Sequence, residues 1–231
     1  MDFAPKCSPC REPIMANPAP NSEEISCLLQ QVAAGDQAVW GDLLHRFRPR
    51  LRRMVELRLD PRLQGRLDAS DVIQEAYLSA TAQVGEYLKK PTVPFFLWLR
   101  LVTGQKLVDL HRHHLRTKAR NARRQVSLDW RAWPAASSGA LASKLIGREP
   151  SPSQAARDVE QQRCLQQALD RMDELDREVV ALRHFEQLTN AETAQVLGLE
   201  VSAASKRYVR ALQRLKEILS AMPGGLEKEQ P

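Results

Sequence analysis

The chain has 231 residues, a formal net charge of +6, 43% hydrophobic and 27% charged residues. That length accommodates one or two domains, and the composition is that of a folded chain rather than a disordered or fibrous one. No apolar run nears the roughly 18 residues of a membrane span, and no basic-then-apolar leader opens the chain. A cytoplasmic protein without membrane insertion is therefore expected.

Residues 1–21 carry Pro5, Pro9, Pro13, Pro18 and Pro20 without apolar periodicity, which reads as a disordered tail. Met15 is an alternative start. Cys7 and Cys10 have half of a zinc spacing but no second pair at the usual distance, so no metal or cofactor is expected. Ser22-Glu23-Glu24 supplies a cap and first-turn acids for a helix carrying Ile25, Leu28, Leu29 and Val32. Gly35 breaks it, and Asp36 can cap a second helix with Val39, Trp40, Leu43, Leu44, Phe47, Leu51, Met54, Val55 and Leu59. Pro49 can kink that helix, and Asp60-Pro61 ends it.

Leu67-Asp68-Ala69-Ser70 restarts the chain with capping residues. The helix that follows puts Val72, Ile73, Ala76, Tyr77 and Ala80 on one face and Asp71, Gln74 and Glu75 on the other. Lys89 to Pro94 is a stiff loop, because two prolines cannot sit inside a helix. From Phe95 to about Arg120 a long amphipathic helix is expected, with Trp98 in the core. Residues 125–154, rich in Pro, Ser and Ala, read as a flexible linker. Helix returns near Gln154 and continues to Met222, and 223–231 form a second tail. The fold class is all-α: two small helical domains, 22–124 and 155–222, joined by that linker.

The sharpest motif lies at 189–215. Thr189 can cap a short helix ending at Gly198, a residue free to adopt a left-handed conformation. Ser202 can cap a second helix, with Val196, Leu197, Leu199, Val209 and Leu212 filling the space between the two. Its outward residues Ser205, Lys206, Arg207 and Arg210 suit a recognition helix in a major groove. Arg207 can read a base, hold a phosphate or pair with an acid such as Glu192. Positive charge is clustered, not spread. The span 201–216 holds Lys206, Arg207, Arg210, Arg214 and Lys216 without an acid. The span 100–124 is basic, with Asp109 its one acid, and a third basic run covers 46–66. There is no Gly-rich phosphate loop and no Ser/His/Asp set, so no catalytic residues are expected.

Taken together, the chain resembles a bacterial RNA polymerase sigma factor of the extracytoplasmic-function (ECF) group. Residues 67–78 are similar to the group's "D-x-E-D-L-V-Q-E-x-F" helix. Residues 95–109 are similar to its "F-x-x-W-L-x-x-I-A-x-N-x-x-x-D" helix, and 188–215 to its −35-reading helix-turn-helix. The resemblance implies core-polymerase binding through Asp71, Gln74 and Glu75 on the β′ coiled coil. It places the acidic stretch from Asp170 to Glu178 near the part that meets the β flap. It implies promoter DNA contacts at the −10 element by Lys89, Lys90, Arg100, Lys106, Arg112 and Arg116. At the −35 element it implies contacts by Ser202, Ser205, Lys206, Arg207, Arg210 and Arg214. It admits an anti-sigma factor as a further partner. Departures from the pattern are Gln105 for Asn, Thr193 for Ile, and Ala203-Ala204-Ser205-Lys206 for Thr-Val-Lys-Ser. The alternative reading is a helix-turn-helix repressor or activator that works without core polymerase.

Overall fold

The structure, a computed structural model, describes residues 22–63, 65–115, 133–146 and 155–222. Among them there are nine α-helices and no strand, and the all-α class is as the periodicity predicts. The two tails, with Cys7 and Cys10, lie outside the described residues.

The first domain is built from α1 (Ser22–Ala33), α2 (Gln37–Arg58), α3 (Ala69–Lys89) and α4 (Phe95–Leu115). Asp36 caps α2 by accepting from the Ala38 and Val39 N–H groups at 3.0 and 3.1 Å. The helix runs through Pro49 and stops at Leu59, ahead of Asp60-Pro61. Asp68 and Asp71 form a reciprocal capping box that starts α3. Pro94 begins α4, its carbonyl accepting from the Trp98 N–H at 3.0 Å. An aromatic cluster joins three of these helices. Phe47 lies 5.6 Å from Phe95 and 5.4 Å from Phe96, and Trp40 meets Phe95 edge-on at 6.0 Å. Such pairs add roughly 0.5–1.5 kcal/mol each beyond area burial. Trp98, expected in the core, is half-buried and stacks on Tyr87 at 4.7 Å.

The second domain comprises α6 (Ala155–Asp170), α7 (Glu174–Val180), α8 (Asn190–Leu197) and α9 (Val201–Ser220). One π turn, Ala181–Phe185, follows α7. Leu169, Val179, Val180, Leu182, Leu188, Val196 and Ala211 are buried between these elements. The expected uninterrupted linker is corrected in one part. Residues Ser138–Ile146 form α5, which packs against α6 and α2. Leu141 and Ala142 are fully buried, the Ser137 N–H donates to the Leu57 carbonyl at 2.8 Å, and Lys144 pairs with Glu56. The Ala-Leu-Ala-Ser run there supplies one apolar helical face, which is stable only because two other helices cover it.

The two domains also touch directly. The Arg50 Nε donates to the Glu186 carbonyl at 3.2 Å and its NH2 group to the Gln187 carbonyl at 3.0 Å. Arg53 reaches the Gln187 side chain at 2.9 Å. Arg58 pairs with both Glu178 and Glu186.

Candidate polymerase and nucleic-acid interfaces

The face of α3 expected to meet protein is exposed as the spacing predicts. Asp71, Gln74 and Glu75 face solvent, while Val72, Ile73, Ala76 and Ala80 are buried. Helical periodicity adds Leu78 to the outer face, one turn beyond Glu75 and 69% exposed. The sequence reading missed this residue because an isolated exposed leucine has no signature of its own. Asp71 has a second task, since its carboxylate accepts from the Asp68 N–H at 2.9 Å. Tyr77 anchors the opposite side by donating to the Leu44 carbonyl at 2.7 Å, and burial pushes its phenol up to about 12.

The cations assigned to the −10 region separate into three groups. Of these cations, Lys89 and Lys90 are exposed beside Pro91 and Thr92, with Lys89 paired to Glu86 at 2.7 Å. Lys106 is half-buried, and Arg112 is exposed, 3.9 Å from Asp109. Arg116 lies outside the described residues. Arg100 is a correction: its side chain is 1% exposed and its Nε donates to Glu186 Oε2 at 2.7 Å. It points inward because α4 turns that position toward the second domain, where a buried carboxylate compensates the charge. The Trp133 ring lies over its guanidinium at 4.4 Å. Trp133 also lies against Gly104, where a Cβ would come within 2.5 Å of the indole.

The helix-turn-helix has the expected frame. Thr189 and Glu192 form a capping box at the start of α8, with bonds of 3.1 and 2.8 Å. Gly198 ends that helix at φ +65°, a left-handed conformation that costs glycine little. Two local expectations are corrected. Helix α9 begins at Val201, so Glu200 occupies the cap position and Ser202 lies inside the helix, exposed. Val209 and Leu212, expected in the core, are 51% and 40% exposed, and Ala204, Ala211 and Leu215 take their place. The small alanines let α9 lie close to α8, which rotates the larger residues out to a flank.

A groove of about 530 Å³ runs along α9, lined by Ser202, Lys206, Arg207, Arg210 and Arg214 with Gln213 and Asp176. Lys206 and Arg210 are exposed and have no ion pair among the described residues. Arg207 and Arg214 are instead held from below by Asp176, at 2.8 Å each. Asp173 also accepts from Arg207, at 3.1 Å. Glu192, the brace considered for Arg207, serves Thr189 and faces Arg50 at 3.5 Å. Ser205 is half-buried on the side of Val209 and does not line the groove. The acidic stretch 170–178 is accordingly not one free patch: Asp170, Asp173 and Glu174 are exposed, but Asp176 and Glu178 are buried in ion pairs.

The buried partners Arg50 and Arg58 were legible in outline. Arg50 follows Phe47 by three residues, and Arg58 follows Met54 by four, so both stand on the apolar stripe of α2. A cation in that position must find a buried acid or acceptor. Which acid it finds is a tertiary fact.

A family model described as ECF sigma factor matches residues 22–220. The ECF RNA polymerase sigma factor SigD of Mycobacterium tuberculosis (strain ATCC 25618 / H37Rv) is 27% identical over 199 residues, covering 86% of this chain and 85% of SigD. The RNA polymerase sigma factor CnrH of Cupriavidus metallidurans is 27% identical over 195 residues, covering 84% of this chain and 93% of CnrH. A solved structure of CnrH in complex with the cytosolic domain of CnrY shares the fold, with a TM-score of 0.50, 24% identity and coverage of 85% of this chain and 97% of that one. No helix among the described residues is long and apolar enough to cross a membrane. The chain belongs to the ECF sigma factor family and is a sigma subunit that acts with core RNA polymerase.

Proposed function

We infer that this sigma subunit selects promoters by two separate DNA surfaces, α9 for the −35 element and the α3–α4 region for the −10 element. The observation that carries the reading is the α9 groove. Two cations with no ion pair among the described residues, Lys206 and Arg210, stand one turn apart beside Ser202 on an exposed helix that follows a left-handed glycine turn. Asp176 holds Arg207 and Arg214 in fixed orientations beneath them. Lys206, nearer the helix start, reads base edges; Arg210, one turn on, holds phosphate.

In the first domain, Lys89, Lys90 and the Pro91–Pro94 turn meet the −10 element, with Lys106 and Arg112 along the strand. Single-stranded DNA needs cations along its backbone, and Lys90 and Arg112 are exposed there while Lys106 is half-buried. Asp71, Gln74, Glu75 and Leu78 dock on the β′ coiled coil, an acidic and apolar face suited to a basic protein helix and unsuited to DNA. Exposed Asp170, Asp173 and Glu174 suit the β flap. An inhibitory protein partner fits this chain too, as CnrH is seen with CnrY.

The test is binding of holoenzyme to a panel of −35 variants at two salt concentrations. Arg210→Ala should weaken all variants about equally and flatten the salt dependence by roughly one ion. Lys206→Ala should re-rank the variants. The opposite pattern reverses the two roles. A chain that binds promoters equally well with and without core polymerase is an independent regulator instead.

A further inference from the structure

We propose that Asp176, helped by Asp173, is a specificity-determining positioning residue that withholds Arg207 and Arg214 from DNA phosphates until the −35 bases are in register. This deepens the reading of α9 given above and rests on it. Asp176 belongs to α7, outside the helix-turn-helix, yet it lines the α9 groove. Its Oδ1 pairs with Arg207 and its Oδ2 with Arg214, both at 2.8 Å. Asp173 accepts from the NH2 group of Arg207 at 3.1 Å.

An acid in a phosphate-binding groove works against affinity. It repels the ligand and neutralises cations that would otherwise hold it. Arg207 and Arg214 are not core arginines, since their side chains are 36% and 57% exposed. They stand two turns apart on α9, about 10 Å along the axis at ~1.5 Å per residue. One carboxylate draws both toward α7. Lys206 and Arg210 line the same groove, are exposed and have no ion pair among the described residues. The groove thus holds two classes of cation, one free and one restrained.

The two classes answer to different complexes. A free cation attracts phosphate on any sequence, out to a Debye length of about 10 Å. A restrained one changes partner only where a phosphate comes as close as the carboxylate it leaves, because the attraction falls with distance. Phosphates come that close when base contacts fix the register of the duplex. In a loose, out-of-register complex the acids keep Arg207 and Arg214. The contribution of these two arginines is thereby confined to the matched promoter, and discrimination gains what general affinity loses.

The test uses the full-length chain in holoenzyme with core polymerase. A promoter selected from random DNA by the wild-type holoenzyme is compared with the same promoter carrying a scrambled −35 element, across a salt series. Asp176→Asn keeps the shape and removes the charge. It should tighten binding to the scrambled DNA about fivefold at low salt and steepen that salt dependence by about one ion. Binding to the matched promoter should change less than about twofold, so the matched-to-scrambled ratio falls by at least about twofold. Glu217→Gln is the control, since Glu217 lines the same groove, is exposed and has no ion pair among the described residues. It should tighten both DNAs alike and keep the ratio. An unchanged ratio in Asp176→Asn, or an equal fall in Glu217→Gln, overturns the proposal. So does an equal loss on both DNAs with an unaltered salt slope, the mark of a merely structural role. Should Asp176→Asn lose its helicity, Asp173→Asn decides, because Asp173 is exposed and asparagine caps a helix as well as aspartate does. The ratio should then fall by about half, and no fall overturns the proposal. A wild-type holoenzyme indifferent to the −35 scramble refutes the α9 reading itself, before any variant is compared, and the proposal falls with it.

Discussion

Arg207 of the recognition helix forms an ion pair with Asp176, Nε to Oδ1 at 2.8 Å, so a cation expected at the DNA surface is anchored within its own domain. Asp176 is buried, and its second oxygen takes Arg214 at 2.8 Å. One carboxylate thus orients two arginines of α9 against α7. Truncating Arg207 leaves Asp176 less compensated. Arg207→Ala is expected to lower stability by roughly 1–2 kcal/mol, measured by urea unfolding. A purely DNA-facing arginine would leave unfolding unchanged.

On α3, docking and folding can be separated. Asp71 closes the capping box, whereas Glu75 has no such bond and faces solvent. Glu75→Lys should weaken capture of core polymerase with no change in thermal unfolding. Asp71→Lys should weaken capture and also cost about 1 kcal/mol of stability. Pull-down and melting curves on the two variants check this, and Glu75→Lys with undiminished capture would remove that face from the docking surface.

The connecting segment should respond unevenly to change. Leu141 is fully buried in α5 against its neighbours, so Leu141→Ala is expected to cost about 2–4 kcal/mol. A Gly-Ser insertion at 147–154 should be nearly neutral, because closure entropy grows slowly with length. Denaturant midpoints of the two variants give the comparison.

Thr193 departs from the isoleucine of the motif that residues 188–215 resemble. Its side chain is fully buried and its hydroxyl has no hydrogen-bond partner among the described residues. Thr193→Val keeps the shape and removes the unpaired polar group. The variant should be more stable by about 1 kcal/mol, and an unchanged or lower melting temperature would show that the hydroxyl is satisfied in solution.

His111 gives a pH dependence. Its Nε2 accepts from the Asp60 N–H at 3.3 Å, which requires the neutral ring. Burial pushes its pKa below the ordinary histidine value, against the opposing pull of Asp60. A depressed pKa means the unfolded chain binds the proton more readily. The stabilisation is therefore complete above the ordinary value and is lost as pH falls through the lower folded value. His111→Gln should flatten the decline in stability between about pH 7 and pH 5. An unaltered decline would assign it to other groups.

Much of this molecule was legible in its sequence, for local reasons. The periodicities place the helices, Asp36, Asp68 and Thr189 announce three of their starts, and Gly198 announces the turn. The outer face of α3 follows from 3.6-residue geometry alone. These features depend on neighbours within a turn or two. Where two helices compete for the same space, local pattern fails. Val209 and Leu212 fit an apolar stripe, yet Ala204 and Ala211 are the buried residues of α9, because close approach of helices favours small side chains.

The sequence by itself determined the helical class, the order of the two domains, the capped turn and the clusters of positive charge. The tertiary structure alone decided which of those charges remain free. Arg100, Arg58 and Arg207 look alike in a basic run, but each lies beside a carboxylate that is distant in the chain, Glu186, Glu178 or Asp176. Helix packing sets that pairing, because a guanidinium leaves water only where a fixed acid replaces its hydration.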